Sequence, residues 1–302
     1  MPAPKGSALS SQQATDGGVP SEYAQLAAKH GLPRQVGRPP FLKYLRDLWA
    51  SRNFIWALST TRAYARNENT YLGQLWSIIN PLLYAAVYTL VFKYLLDTTR
   101  GVHNYVGFLV VGLFVFQFCS AVLGQGASAI AGNISMIRSL RFPRAVLPIS
   151  AVITEFLTML PAIVVMFVIV GLTGEPPQWS WLLALPAYLL ITVFNVGVAL
   201  IMARIGSQSR DIKNLIPLTI QMLRYMSGLF FSIAHYTEKY PALGVVLAYQ
   251  PYALSIELVR GAMLEEFAVS PLHLAAMGLW AFGLSIGGLV YFWRGEGSYG
   301  VE

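Results

Sequence analysis

Charge is scarce in this sequence: Asp, Glu, Lys and Arg make up 12% of 302 residues against 55% hydrophobic ones, where soluble domains carry roughly 25% charge. Together with a mean hydropathy of +0.54, that makes a bilayer the expected solvent. Cysteine is nearly missing, since Cys119 stands alone, which excludes an intrachain disulfide and a cysteine metal cage. The four histidines, His30, His103, His235 and His273, are too scattered for close ligand spacing. There is no GxxxxGKS/T phosphate loop, no HExxH, no GxSxG and no tight aspartate pair for a metal-dependent glycosyl or phosphoryl transferase. No catalytic residue, metal site or cofactor is therefore expected on this chain. The net charge of +7 would suit nucleic acid, but the basic residues lie beside hydrophobic blocks, where orientation in a membrane accounts for them better.

Residues 1–37 are rich in Ala, Gly, Pro, Ser and Gln and hold no apolar core of signal-peptide length. They read as a disordered cytosolic tail without a cleavable signal. Residues 38–68 read as an amphipathic helix and its connector: Phe41, Leu42, Leu45, Leu48 and Trp49 form one stripe, with Lys43, Arg46, Asp47 and Arg52 elsewhere. Such a helix lies on the cytosolic leaflet; packing against a soluble domain is the alternative. Residues 69–302 then form a membrane domain.

The expected architecture is an all-α integral membrane protein with six transmembrane helices, at about 75–96, 105–131, 146–172, 181–203, 215–233 and 272–293. Arg52, Arg62 and Arg66, then Arg138, Arg141 and Arg144, then Arg204, Arg210 and Lys213 fall on one side. The other side holds only Arg100 and Lys239 near the spans. By the positive-inside rule both termini are cytosolic, in a multi-pass protein of the plasma (inner) membrane. Between spans five and six, Pro241 to Leu264 is apolar but carries Pro251, Glu257, Arg260 and Gly261, which suggests two short re-entrant helices packed against a translocation path. Glu257 and Arg260, three apart, can neutralise each other.

Ionisable groups inside spans are costly, by roughly 2.5–3.5 kcal/mol on insertion scales. Glu155 lies in the third span and Arg224 in the fifth. They read either as an interhelical ion pair or as an arginine that faces the conduit and attracts a phosphate-bearing substrate. Tyr84 and Tyr88 on the first span, and Tyr225, Phe230 and Phe231 on the fifth, suit the apolar faces of sugar rings. Such a stripe also suits ordinary packing. Gly283 and Gly287 permit a close helix approach, within one chain or between two copies. Asp211, with Arg210 and Lys213, is the one charged group that an enzyme acting on polyprenyl lipids could use, and a solvated loop explains it as well.

Three stretches carry a family resemblance. ENTYLGQLWSIINPLLYAAVYTLVF (68–92), with Leu72, Gly73, Leu75, Trp76, Asn80 and Pro81, and GLFVFQFCSAVLGQGASAIAGNISMIRSLRFPRAVLPIS (112–150) resemble the permease subunits of type-2 ABC polysaccharide exporters, the O-antigen and teichoic-acid exporters. The third runs from Gln250-Pro251-Tyr252 to Arg260, with Gln250 where that family usually has Asn. Within the family the chain is similar to the permeases that export cell-wall galactan in mycolic-acid-producing actinobacteria. The resemblance implies export of a lipid-diphosphate-linked polysaccharide by a homodimer of this chain bound to two copies of a separate ATPase subunit, which would hold ATP and Mg. Asn133, Ile134, Ser135, Met136, Ile137, Arg138 and Arg141 match the family's cytosolic coupling helix, although a positive-inside anchor would look similar. ATPase closure would push on this loop and open a path along the first and fifth spans. A type-2 exporter of a small amphipathic drug or lipid is the alternative.

Overall fold

The computed structural model describes residues 39–66, 73–95, 102–209, 211–233, 241–297 and 299. All of them belong to one compact unit, residues 38–302. The expected tail, Arg210, Arg100, Lys239 and the stretch 68–72 lie outside the described residues.

Helix α1 (Phe41–Ala50) and helix α2 (Arg52–Ala65) are separated by a kink at Ser51, whose hydroxyl donates to the Asp47 carbonyl at 2.8 Å. The apolar stripe expected on α1 divides in two: Phe41, Leu45 and Leu48 are half-buried, whereas Leu42 and Trp49 are 79% and 73% exposed. Tyr44, outside that stripe, is the residue that turns fully inward, 1% exposed. Tyr44 turns inward because its hydroxyl finds partners there, donating to Glu296 at 2.9 Å and accepting from the Ala145 N–H at 3.1 Å. Leu42 and Trp49 are left as an apolar edge of the kind that interfacial helices present to lipid. Helix α2 then lies along a long helix, α6 (Val146–Leu172). Small hydroxyl side chains let the two meet: Ser59 donates to the Ser150 carbonyl at 3.1 Å, and Thr154 to the Ser59 carbonyl at 3.3 Å.

Helix α3 (Trp76–Thr89) carries Pro81 inside it and continues as a π-helical turn over Leu90–Leu95. Helix α4 (Tyr105–Ser128) is apolar around its whole circumference and almost wholly buried, as a helix at the centre of a bundle must be. Asn104 caps it by accepting from the Gly107 N–H at 3.0 Å. A 3₁₀ turn (Ala131–Asn133) leads into the short helix α5 (Ile134–Ser139), and α6 follows. After a further 3₁₀ turn (Trp179–Leu183) come α7 (Ala184–Gln208), α8 (Ile212–Met226), α9 (Pro241–Ala248), α10 (Pro251–Met263) and α11 (Pro271–Arg294).

Among the described residues four helical stretches are long and apolar enough to cross a bilayer: 105–128, 146–172, 179–208 and 271–294. They coincide with the expected second, third, fourth and sixth spans. Helices α9 and α10 qualify only jointly, bent by 76° at the break between them. The expected first span is shorter than drawn, with its apolar helix confined to Ile78–Phe92. The expected fifth span stops at Met226, because Gly228 adopts a left-handed φ of +68° that ends the helix.

Close backbone contact holds the long helices together. A Cβ on Gly197 of α7 would lie 2.4 Å from the Leu284 carbonyl carbon of α11, and one on Gly206 would lie 2.1 Å from the Ala127 carbonyl oxygen of α4. Ser285 donates to the Val193 carbonyl at 2.5 Å across the same α7–α11 seam. Gly283 and Gly287, the expected approach motif, face open space, and Gly288 makes the contact instead. Gly197→Leu is accordingly expected to cost about 1–3 kcal/mol through overpacking, read as a lower unfolding midpoint in detergent, whereas Gly283→Ala leaves that midpoint unchanged.

Candidate functional site

The aromatic residues of α3 and of the α8 end come together on one face. Tyr84 stacks on Tyr88 at 6.4 Å between ring centroids. Phe230 packs on Tyr88 at 4.9 Å, on Phe92 at 4.8 Å and on Tyr225 at 5.8 Å. Tyr84 and Tyr225 are 55% and 57% exposed, so a buried aromatic junction around Phe230 opens onto a tyrosine surface. Phe231 packs half-buried against the main core. Arg224 belongs to this face: it donates to the Tyr88 hydroxyl at 3.3 Å and lies over the Phe116 ring.

Arg260 sets the position of the Phe230 segment. Its side chain has no solvent exposure, and a charge buried that way must be met entirely by protein acceptors. It donates to the carbonyls of Phe108 at 3.2 Å, Gly228 at 2.9 Å and Leu229 at 2.9 Å, and its guanidinium lies 3.3 Å from the centroid of the Phe108 ring. The Phe230 carbonyl accepts from Tyr105 at 3.2 Å. Three successive carbonyls of the segment just past the end of α8 are thus satisfied by α10 and α4. The expected Glu257–Arg260 pair is present at 3.4 Å, but it is the longest of the arginine's hydrogen bonds and the backbone carbonyls are its principal partners.

Glu155 and Arg224 do not pair. Glu155, buried in α6, bonds to Arg66 at 2.6 Å. The reason is topological: the hydroxyl contacts between α2 and α6 bring the end of α2 alongside Glu155, while Arg224 is engaged with Tyr88. One turn earlier on α2, Arg62 donates to the Asn133 side-chain oxygen at 2.6 Å. Asn133 in turn donates to the Ala129 carbonyl at 2.8 Å, so the start of the 134–139 helix is tied to both α2 and α4. Within that segment Met136 and Ile137 pack inward and Ile134 is half-buried, while Ser135, Arg138, Leu140 and Arg141 are exposed. Asp211 and Lys213 are exposed at the start of α8.

Arg62 and Arg66, read from sequence only as orientation signals, are thus structural connectors. A further connection had no sequence signal, since its ends are 252 residues apart. Glu296, just beyond α11, accepts from the Tyr44 hydroxyl and, at 3.0 Å, from the Arg144 N–H, while the Arg144 guanidinium donates to the Glu296 carbonyl. Burial pushes the Glu296 carboxyl above its ordinary value, opposed by the Arg144 and Tyr44 hydrogen bonds.

Long apolar helices around a buried central one, an arginine set in an exposed aromatic face and a short exposed turn between two long helices describe a multi-pass membrane permease. The chain belongs to the ABC-2 type transporter family, which matches residues 54–264. It is 30% identical over 229 residues to the O-antigen export system permease protein RfbA of Klebsiella pneumoniae, covering 73% of this chain and 85% of that protein. The protein of the same name from Myxococcus xanthus is 26% identical over 210 residues, 70% of this chain and 80% of that one. The polysialic acid transport protein KpsM of Escherichia coli is 23% identical over 201 residues, 65% and 75% respectively.

Two outcomes follow from this geometry. Arg260→Met, which orphans several buried carbonyls, is expected to cost about 3–5 kcal/mol in detergent unfolding, and Glu257→Gln less than about 1 kcal/mol. Because the folded-state value of Glu296 is raised, the folded protein holds its proton longer than the unfolded chain does. Stability therefore falls as pH rises from the ordinary carboxylate value through the raised one, and Glu296→Gln removes that slope from the unfolding midpoint measured against pH.

Proposed function

We propose that this chain is the membrane-spanning permease of an ATP-driven exporter of a lipid-diphosphate-linked polysaccharide, a galactan destined for the cell wall. The relatives in O-antigen and polysialic acid export support a polysaccharide cargo. The observation that carries the reading is the aromatic face of Tyr84, Tyr88, Tyr225 and Phe230 with Arg224 bonded into it. Tyrosine rings offer sugars an apolar face and a hydroxyl, and the guanidinium suits a diphosphate.

Two copies of this chain work with two copies of a separate nucleotide-binding subunit, which holds ATP and Mg. The protein sits in the plasma (inner) membrane with both termini cytosolic. The α3 and α8 segments complete six spans, and α9 and α10 are re-entrant. The ATPase docks on Asn133–Arg141, where Ser135, Arg138 and Arg141 are exposed. Its closure is transmitted through Asn133–Arg62 to α2 and through Arg66–Glu155 to α6, opening the path between α3 and α8. Trapping the ATPase dimer with a non-hydrolysable nucleotide changes labelling at Tyr84 and Tyr225.

Depletion of the chain is expected to strand completed lipid-linked glycan on the cytosolic face; failure to synthesise the glycan at all would replace this reading with an enzyme. Arg224→Gln, in a permease that still assembles with its ATPase, should lower glycan export several-fold at unchanged ATP hydrolysis. Normal export by that variant removes Arg224 from the path.

A further inference from the structure

The first turn of α6 cannot satisfy its own amides. Ala145, at the capping position, has no side-chain oxygen, and the first turn holds no acidic residue. The N–H groups of Val146 and Leu147 reach the carbonyls of Pro143 and Arg144 at 3.0 and 3.1 Å, and Pro148 has none. The N–H groups of Arg144 and Ala145 remain, and a helix start without partners for its amides is unfavourable.

Both amides are met from outside, by one carboxylate. Glu296 accepts from the Arg144 N–H through Oε1 at 3.0 Å and from the Tyr44 hydroxyl through Oε2 at 2.9 Å. Because the Tyr44 hydrogen goes to Glu296, its oxygen is left to accept from the Ala145 N–H, at 3.1 Å. Glu296 also supplies a negative charge at the start of a 27-residue helix, where the dipole favours one. The carboxylate is itself held in place: just before it, the Trp293 indole donates to the Pro39 carbonyl at 3.0 Å and packs on Phe41 at 5.3 Å between ring centroids.

The segment that ends at this cap is the turn between α4 and α6. Its leading end is fixed at Asn133 by Arg62, and Met136 and Ile137 pack against the small core that contains Tyr44, Ala145 and Phe292. Ser135, Arg138 and Arg141 are left exposed between the two fixed ends. A six-residue helix is too short to hold its own position. A partner binds a preformed surface without the cost of ordering it.

We propose that Glu296 is a positioning residue for ATPase docking: with Tyr44 it caps α6 and so fixes the trailing end of the turn that the nucleotide-binding subunit reads. The proposal rests on the docking role given to Asn133–Arg141 above. It gives the residues after the last span a task in assembly, besides their share in stability.

The test is the affinity of the nucleotide-binding subunit for the full-length permease in nanodiscs, with hydrogen exchange of the same permease as the local readout. Glu296→Ala should weaken assembly by about tenfold, the scale of one charge-assisted hydrogen bond, and speed exchange in peptides covering 141–147. Glu296→Gln, which keeps one accepting oxygen, should fall between it and the unaltered chain. Ser285→Ala, three turns back along α11, removes the bond to the Val193 carbonyl. It should lower the unfolding midpoint and leave assembly unchanged. If Glu296→Ala fails to fold, Tyr44→Phe serves in its place, since it removes the cap on Ala145 and keeps the carboxylate. Unchanged assembly in the variant that folds, or a loss matched by Ser285→Ala, would overturn the proposal. Arg138→Glu with Arg141→Glu separates the two readings. If that pair abolishes assembly and Glu296→Ala does not, the turn docks the ATPase and Glu296 does not position it. If neither affects assembly, the docking role of the turn is wrong and the proposal falls with it.

Discussion

A guanidinium with no access to water must find its acceptors in the protein, and the way Arg260 does so organises the part of the bundle where α4, α8 and α10 meet. It takes the carbonyls of Gly228 and Leu229, in the turn just past the end of α8, and that of Phe108 from the central helix. Each acceptor needs a charged donor as much as the donor needs it, since an unpartnered buried polar group costs about 1–3 kcal/mol. One side chain on α10 therefore fixes where α8 ends, how the chain turns at Gly228 and where Phe230 sits between Tyr88, Phe92 and Tyr225. The aromatic face is a consequence of that clamp.

The other half is tied together by different chemistry. Hydroxyl contacts bring α2 onto α6, which places Arg66 on Glu155 and Arg62 on Asn133. At the C-terminal side, Glu296 joins α1 to the residues that open α6. Between the two halves stand α4, α7 and α11, whose glycines and alanines meet backbone to backbone. Where apolar side chains have lipid as an equally good partner, close packing and polar contacts hold helices together.

The long helices were legible because hydropathy summed over about 20 residues is a strong signal; α4, α6, α7 and α11 lie where the apolar runs of the sequence lie. The short ones were less so. Leu215–Ile233 reads as one span, yet the chain breaks at Gly228, because a distant arginine stabilises the break. Glu155 and Arg224 were the two conspicuous charges, and pairing them was the economical reading. It failed because pairing depends on which helices are neighbours, and the Ser59, Ser150 and Thr154 hydroxyls that make α2 a neighbour of α6 leave no distinctive mark in the sequence.

By itself, then, the amino-acid sequence determined that this is a helical membrane protein, where its long spans run, which segments are basic and which aromatic residues are available. Those properties follow from composition and period, which act locally along the chain. Which charge meets which, where α8 ends, and which glycines are packed and which are bare were decided only by tertiary structure. They depend on contacts between residues up to 252 positions apart, and no local pattern encodes the partner of a buried charge.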